Sequence, residues 1–246
     1  AMAATSAADV LRAWGKLGYP RRALRLHAAA AAIAADHDDA VPADVATLEA
    51  LPGIGTYTAR AVAAFAHGQR VPVVDANVRR DVARAVHGHA EAGPASARDL
   101  ADVEALLPGQ DTRDGAQPSS TRLSDAATMS AALMELGATV CVARGPRCAD
   151  CPVIARCAWQ RRGRPAWDGP VRRAQTWAGT DRQVRGRLLD VLRDAPGPVT
   201  REALDAAWRT DPAQRARCLD SLLVDGLVEP LADGRFALPG EAGDVR

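Results

Sequence analysis

Apolar residues recur at helical spacing through most of the first 160 positions, and short Gly-, Pro- or Ser-rich stretches cut that pattern into segments. Ser6 followed by Asp9 has the form of a capping box and predicts a helix through Leu17. Pro20 suits the first turn of a second helix carrying Ala23, Leu24, Leu26 and Ile33. A short helix closes over Leu48 to Leu51, Pro-Gly-Ile-Gly turns the chain, and Thr56 is expected to cap a helix through about His67. Further helices are predicted over 77–86, 97–107 and 125–136, with a polar loop at 108–124 that reads as mobile.

The pattern changes after a Gly/Pro-rich stretch at 163–180, which reads as a linker. Asp181 to Arg193 is amphipathic, with Val184, Leu188, Leu189 and Leu192 on one face. Thr200 is placed to cap a helix through Trp208, and 212–224 forms a third helix. GLVEPLADGRFAL then reads as two short strands around an Asp-Gly turn. Three helices and a hairpin in this compass are a winged-helix pattern. The expected organisation is therefore a mainly α domain over 1–162, the linker 163–180, a winged-helix-like α+β domain over 181–240 and a tail at 241–246.

Composition adds modest constraints. A chain of 246 residues, 48% hydrophobic and 25% charged, can bury one or two ordinary cores. Its alanine-rich apolar runs are too short to span a bilayer, so no membrane partner is expected. Formal net charge is +1, which by itself points to no polyanion. The distribution says more: from Cys141 to Arg173 eight arginines face two acids, Asp150 and Asp168, a local basic segment suited to phosphates or simply to solvent. Lys16 is the only lysine.

That basic segment surrounds Cys141, Cys148, Cys151 and Cys157, spaced C-x6-C-x2-C-x5-C. Thiolates bind soft metals, and four on one compact loop suit a cubane iron–sulfur cluster. Structural zinc more often takes two close pairs joined by a longer arm, and two disulfides are the remaining reading. No signal peptide is visible, so a cytoplasmic location is expected, where thiols stay reduced and disulfides are disfavoured. Cys218 lies four residues before Leu222 on the third C-terminal helix and reads as core.

Leu51-Pro-Gly-Ile-Gly55 between two helices is a helix–hairpin–helix signal. Gly53 and Gly55 permit the turn and let backbone N–H groups approach a phosphate oxygen beside a helix N-terminus. About twenty residues on, VPVVDANVRR places Asp75 just beyond an apolar run, where it can cap the helix starting near Asn77. With WGKLGYPRRALRLH (14–27), LPGIGTYTARAV (51–62), VVDANVRR (73–80), MELGATVC (134–141) and the cysteine loop, residues 8–160 resemble the helix–hairpin–helix, iron–sulfur DNA glycosylases, and within them the MutY-type adenine DNA glycosylases.

The resemblance implies excision of adenine mispaired with 8-oxoguanine or guanine in double-stranded DNA, by a monomer carrying a 4Fe-4S cluster on the four cysteines. Asp75 matches the family's carboxylate at the sugar, and Asn77 a position that holds that aspartate and the DNA backbone. Tyr57 stands where endonuclease III-like relatives carry a Schiff-base lysine, implying hydrolysis without strand cleavage. Arg144 and Arg147, between the first two cysteines, are expected to face DNA phosphates. The chain departs from the family in two respects. The segment resembling E-x-M-L-Q-Q-T, which carries the family's general-acid glutamate, is not found before the WGKLGY stretch, so excision by the chain as given is expected to be impaired. The C-terminal module is too short for the Nudix-like domain of many relatives. Alternative readings are an endonuclease III-like glycosylase and lyase, an iron–sulfur winged-helix regulator and a catalytically dead binding module.

Overall fold

Side-chain caps set most of the helix starts in the computed structural model, which describes residues 1–109, 124–170 and 177–241. Ser6 caps α1 (Ala7–Trp14), accepting from the Asp9 amide at 3.1 Å while its hydroxyl donates back to Asp9 at 2.7 Å. The helix stops at Trp14 and not at Leu17, because Gly15, Gly18 and Tyr19 all take positive φ. Next come α2 (Arg21–Asp36), α3 (Val45–Ala50) and α4 (Thr56–Phe65). Thr56 is not the cap expected of it. Gly55 occupies the extended N-cap position, and Thr56 is already the first helical residue.

Asp75 caps α5 (Ala76–Val82), which widens into a π-turn over Ala83–His87 and so reaches the length expected for it. Then follow α6 (Arg98–Glu104) and α7 (Asp125–Thr139), the latter capped by Ser124 and one turn longer than its sequence pattern indicates. Most of the 108–124 loop lies outside the described residues. Two short 3-10 turns, Cys148–Asp150 and Ile154–Arg156, carry the chain into α8 (Ala158–Arg161).

The C-terminal part contains α9 (Asp181–Asp194), α10 (Arg201–Ala207) and α11 (Pro212–Val224), capped by Thr180, Thr200 and Asp211. Strands β1 (Glu229–Pro230) and β2 (Phe236–Ala237) pair antiparallel around Asp233-Gly234, and Val199 bridges to Phe236 on the hairpin's other side.

The described chain divides into two compact units. One comprises 1–42, 51–53 and 173–246. Its core joins Ala8, Val10 and Leu11 of α1 and Ala23 of α2 to Leu188, Leu192, Leu204, Leu222 and Leu238. Cys218, 1% exposed, belongs to the same core, as its helical position predicts. The other comprises 43–50 and 54–172 and is built on α5 against α7, with Val78, Val82 and Val103 buried among Leu106, Leu133 and Met134. Among the described residues no helix is long and apolar enough to cross a membrane.

Candidate active site and metal centre

Helix α5 positions most of the candidate chemistry. Asp75, in extended conformation just ahead of the helix, accepts the Val78 amide on Oδ1 at 2.7 Å. Its second oxygen, Oδ2, accepts from the Asn77 side-chain amide at 3.0 Å. Capping fixes where the carboxylate sits and Asn77 fixes how it is turned, so the pair expected from sequence is brought together.

Asn77 is itself held from behind. Its Oδ1 accepts from Arg80 at 2.9 Å, and the same guanidinium donates to the carbonyls of Gly137 at 2.6 Å and Cys141 at 2.7 Å. A continuous set of hydrogen bonds thus joins Asp75 to the end of α7 and to the first cysteine. Arg84, one turn further on and 3% exposed, continues the pattern. It donates to the carbonyls of Ala90, Cys141, Val142 and Ala143, and lies 3.4 Å from the Cys141 sulfur. Its guanidinium stacks 5.1 Å from the Trp159 ring centroid. Neither arginine was singled out from sequence. Their spacing of four, within a helix whose Val78, Asp81 and Val82 are also buried, is the signal that they point inward.

Asp81 lies between them. It is 2% exposed, and no hydrogen bond reaches either carboxylate oxygen. Burial pushes its acid up to about 6, against the opposing pull of the Cys141 thiol, Arg80 and Arg84. A Cβ placed on Gly137 would stand 2.8 Å from Asp81 Oδ2 and 2.7 Å from Asn77 Cβ, so α5 and α7 approach here as closely as glycine allows.

Cys141, Cys148, Cys151 and Cys157 line one cavity with Arg84, Val140, Ile154 and Trp159. All four are free thiols, and Cys157 is the most buried. Among the described residues no three His, Cys, Asp or Glu side chains are drawn close enough to grip one metal ion. The four cysteines nevertheless share the lining of that one cavity. A donor set of four thiols with an apolar lining and an arginine beside one sulfur fits a thiolate-bound cluster. Burial pushes the Cys141 thiol up to about 11, so metal binding there must displace a proton.

The other predicted residues are distributed as follows. Tyr57 is 44% exposed and lines a cleft of about 410 Å³ with Thr56, Arg60, Val74 and Arg79. Asp75 is not part of that lining, although its neighbour Val74 is. Gly53 takes a φ of +73°, and a Cβ there would meet the Arg25 side chain at 2.4 Å, so only glycine serves. Gly55 leaves the first turn of α4 without a side-chain cap. Arg144 is exposed, and Arg147 turns back to donate to the Thr139 carbonyl at the end of α7.

A helix–hairpin–helix followed by an aspartate-capped helix and a four-cysteine loop is the scaffold of a DNA glycosylase class, and comparison with known proteins agrees. A helix-hairpin-helix motif model matches residues 36–65. The structure of a thermostable thymine-DNA glycosylase superposes with a TM-score of 0.53 at 25% identity, over 65% of this chain and 69% of that one. Within the class the assignment narrows. An adenine DNA glycosylase of Mycobacterium tuberculosis is 63% identical over 242 residues, which is 98% of this chain and 75% of the relative. That of Mycolicibacterium smegmatis is 64% identical over 98% and 77%. The chain belongs to the adenine DNA glycosylase family.

Proposed function

We propose that this protein hydrolyses the N-glycosidic bond of adenine mispaired with 8-oxoguanine or guanine in double-stranded DNA, acting as a monofunctional base-excision enzyme. The observation that carries the reading is the Asp75 carboxylate, turned by Asn77 at 3.0 Å, in a chain of this family. The adenosine must leave the stack for its bond to be reached. The departing adenine takes a proton from the general-acid glutamate that the family carries in its E-x-M-L-Q-Q-T-like segment, positive charge develops on the sugar, Asp75 beside it stabilises that charge, and water adds to the sugar carbon as the N-glycosidic bond breaks. Tyr57 lines the neighbouring cleft beside Val74 and stands where endonuclease III-like relatives carry a lysine. It offers no amine, so no Schiff base with the sugar forms and the strand stays intact.

Cys141, Cys148, Cys151 and Cys157 would hold a 4Fe-4S cluster, a reading supported by four thiols lining one cavity. When bound, it supplies a rigid cross-link for the loop. Hydrolysis calls for no electron transfer. Arg144 and Arg147 on that loop, with Gly53, Gly55 and Asn77, contact the DNA backbone. Residues 181–240 act as a winged-helix-like module, a reading supported by α9 to α11 and the β1–β2 hairpin.

The test is incubation of the protein with an A:8-oxoguanine duplex labelled on the adenine strand, with and without alkali. Cleavage only after alkali supports hydrolysis to an abasic site. Cleavage without alkali, or a covalent complex trapped at high yield by borohydride, would overturn the monofunctional reading.

A further inference from the structure

The cleft that Tyr57 lines carries one positive charge that the fold does not use. Its walls, all within the unit formed by 43–50 and 54–172, hold two arginines, Arg60 and Arg79, and among the described residues a single acid, Asp99. Asp99 is already committed. Its Oδ2 accepts from Arg79 Nε at 2.8 Å and from the Ser96 amide at 2.8 Å, while Arg79 also donates to the Gly93 carbonyl at 3.1 Å. Arg60 is left over. It is half-buried, and its Nε is fully buried with no acceptor among the described residues. We propose that Arg60 is an anion-binding residue, which takes a phosphate of the target strand beside the flipped adenosine from within this cleft.

Energy, position and chemistry agree on this. Taking a guanidinium nitrogen out of water without an acceptor costs about 1–3 kcal/mol, and a bound anion removes that penalty. Arg60 stands one turn after Thr56 and Tyr57 on α4, so the three side chains share a face. Val74, the residue before Asp75, lines the same cleft, so the free charge sits one residue away from the carboxylate's own place in the chain. A net charge of +1 in the lining matches the single charge of a phosphodiester, and the planar N–H fork of arginine matches two of its oxygens. The cleft, at about 410 Å³, is larger than a phosphate group alone and admits the attached sugar. An intact duplex keeps its phosphates on two outer rails. Flipping turns one nucleotide about its backbone toward the protein, so the contact forms at an opened mispair and not along paired DNA.

This inference rests on the DNA reading above, and the experiment separates the two. Equilibrium binding to a fluorescein-labelled duplex is measured by anisotropy over a series of salt concentrations for the wild type, Arg60→Gln and Arg60→Lys. One duplex pairs 8-oxoguanine with 2′-fluoro-2′-deoxyadenosine, whose fluorine disfavours the sugar cation and so keeps the base attached. The other is a fully paired A:T control. On the mispair, Arg60→Gln should bind roughly 10- to 150-fold more weakly at low salt, with a salt slope smaller by about 0.9. Arg60→Lys keeps the charge without the fork, so it should hold the wild-type slope and bind within about tenfold of wild type. On the A:T control all three proteins should share one slope. A wild type that binds no mispaired duplex would defeat the DNA reading itself. Three results would overturn the cleft contact alone: a wild-type slope in Arg60→Gln on the mispair, an equal loss of slope on both duplexes, or a slope in Arg60→Lys as small as in Arg60→Gln.

Discussion

The Asn77 amide donates to Asp75 at 3.0 Å, so the carboxylate that caps α5 is oriented by a side chain of the same helix. Asp75→Asn should therefore separate chemistry from folding. Asparagine caps about as well as aspartate, so the melting temperature should change little. The charge that meets the developing cation is lost, and single-turnover adenine release should fall on the order of 10²- to 10³-fold. A rate within tenfold of wild type would remove Asp75 from the mechanism.

Arg80 supports three acceptors at once: Asn77 Oδ1 and the carbonyls of Gly137 and Cys141. Arg80→Leu leaves them buried without donors and should cost about 3–5 kcal/mol in urea denaturation. Arg80→Lys keeps the charge but not the planar fork, and an intermediate loss of about 1–3 kcal/mol is expected.

Gly137 sets the spacing of α5 and α7. In Gly137→Ala the new methyl meets Asn77 Cβ at 2.7 Å, and backbone as well as side chain must move. The expected destabilisation is about 1–3 kcal/mol. Adenine release should fall as well, since the displaced residue is the one that turns Asp75. Unchanged stability in chemical denaturation would show that the helices separate freely.

Asp81 predicts a pH dependence. Burial raises its folded acid from 3.8 to about 6, so the fold favours the protonated form. Its contribution to stability is full below the ordinary carboxylate range and is lost as pH rises through about 6. Asp81→Asn stays neutral throughout. The stability difference between variant and wild type should accordingly widen in the variant's favour from pH 4 to pH 7, read from denaturation midpoints at each pH. A constant difference would show that Asp81 is not perturbed.

For the cysteine loop, Cys151→Ala should lose iron and sulfide together and with them the visible absorbance of the protein, while α9 to α11, in the other unit, retain their fold. A colourless wild-type protein containing one zinc would remove the cluster assignment and leave the glycosylase fold standing.

Local chemistry made much of this legible beforehand. Ser6 and Thr200 start helices because their oxygens accept the amide three residues on, a rule that needs no tertiary knowledge. Asp75 was readable as a cap by the same rule, whereas its candidacy as a catalyst came from the resemblance of VVDANVRR to the glycosylases. Thr56 misled because Gly55 can take the capping backbone without a side-chain bond. Arg80 and Arg84 were legible only in part: their spacing of four puts them on one face, but nothing local says that the carbonyls at the end of α7 meet that face. Nor does any local pattern announce that α1 and α2 share a core with α9 and α10, since one amphipathic face does not name its partner.

Arg70, Arg79, Arg80 and Arg84 all turn guanidinium N–H groups onto backbone carbonyls within the fold. These four arginines serve as mortar, their N–H donors committed to the fold before any DNA arrives. With a formal net charge of only +1, such a molecule projects little attraction beyond a Debye length. Its search for a mispair would then proceed by touch more than by long-range capture, and its encounter rate should depend on how often it lands well, more than on how strongly it is drawn in.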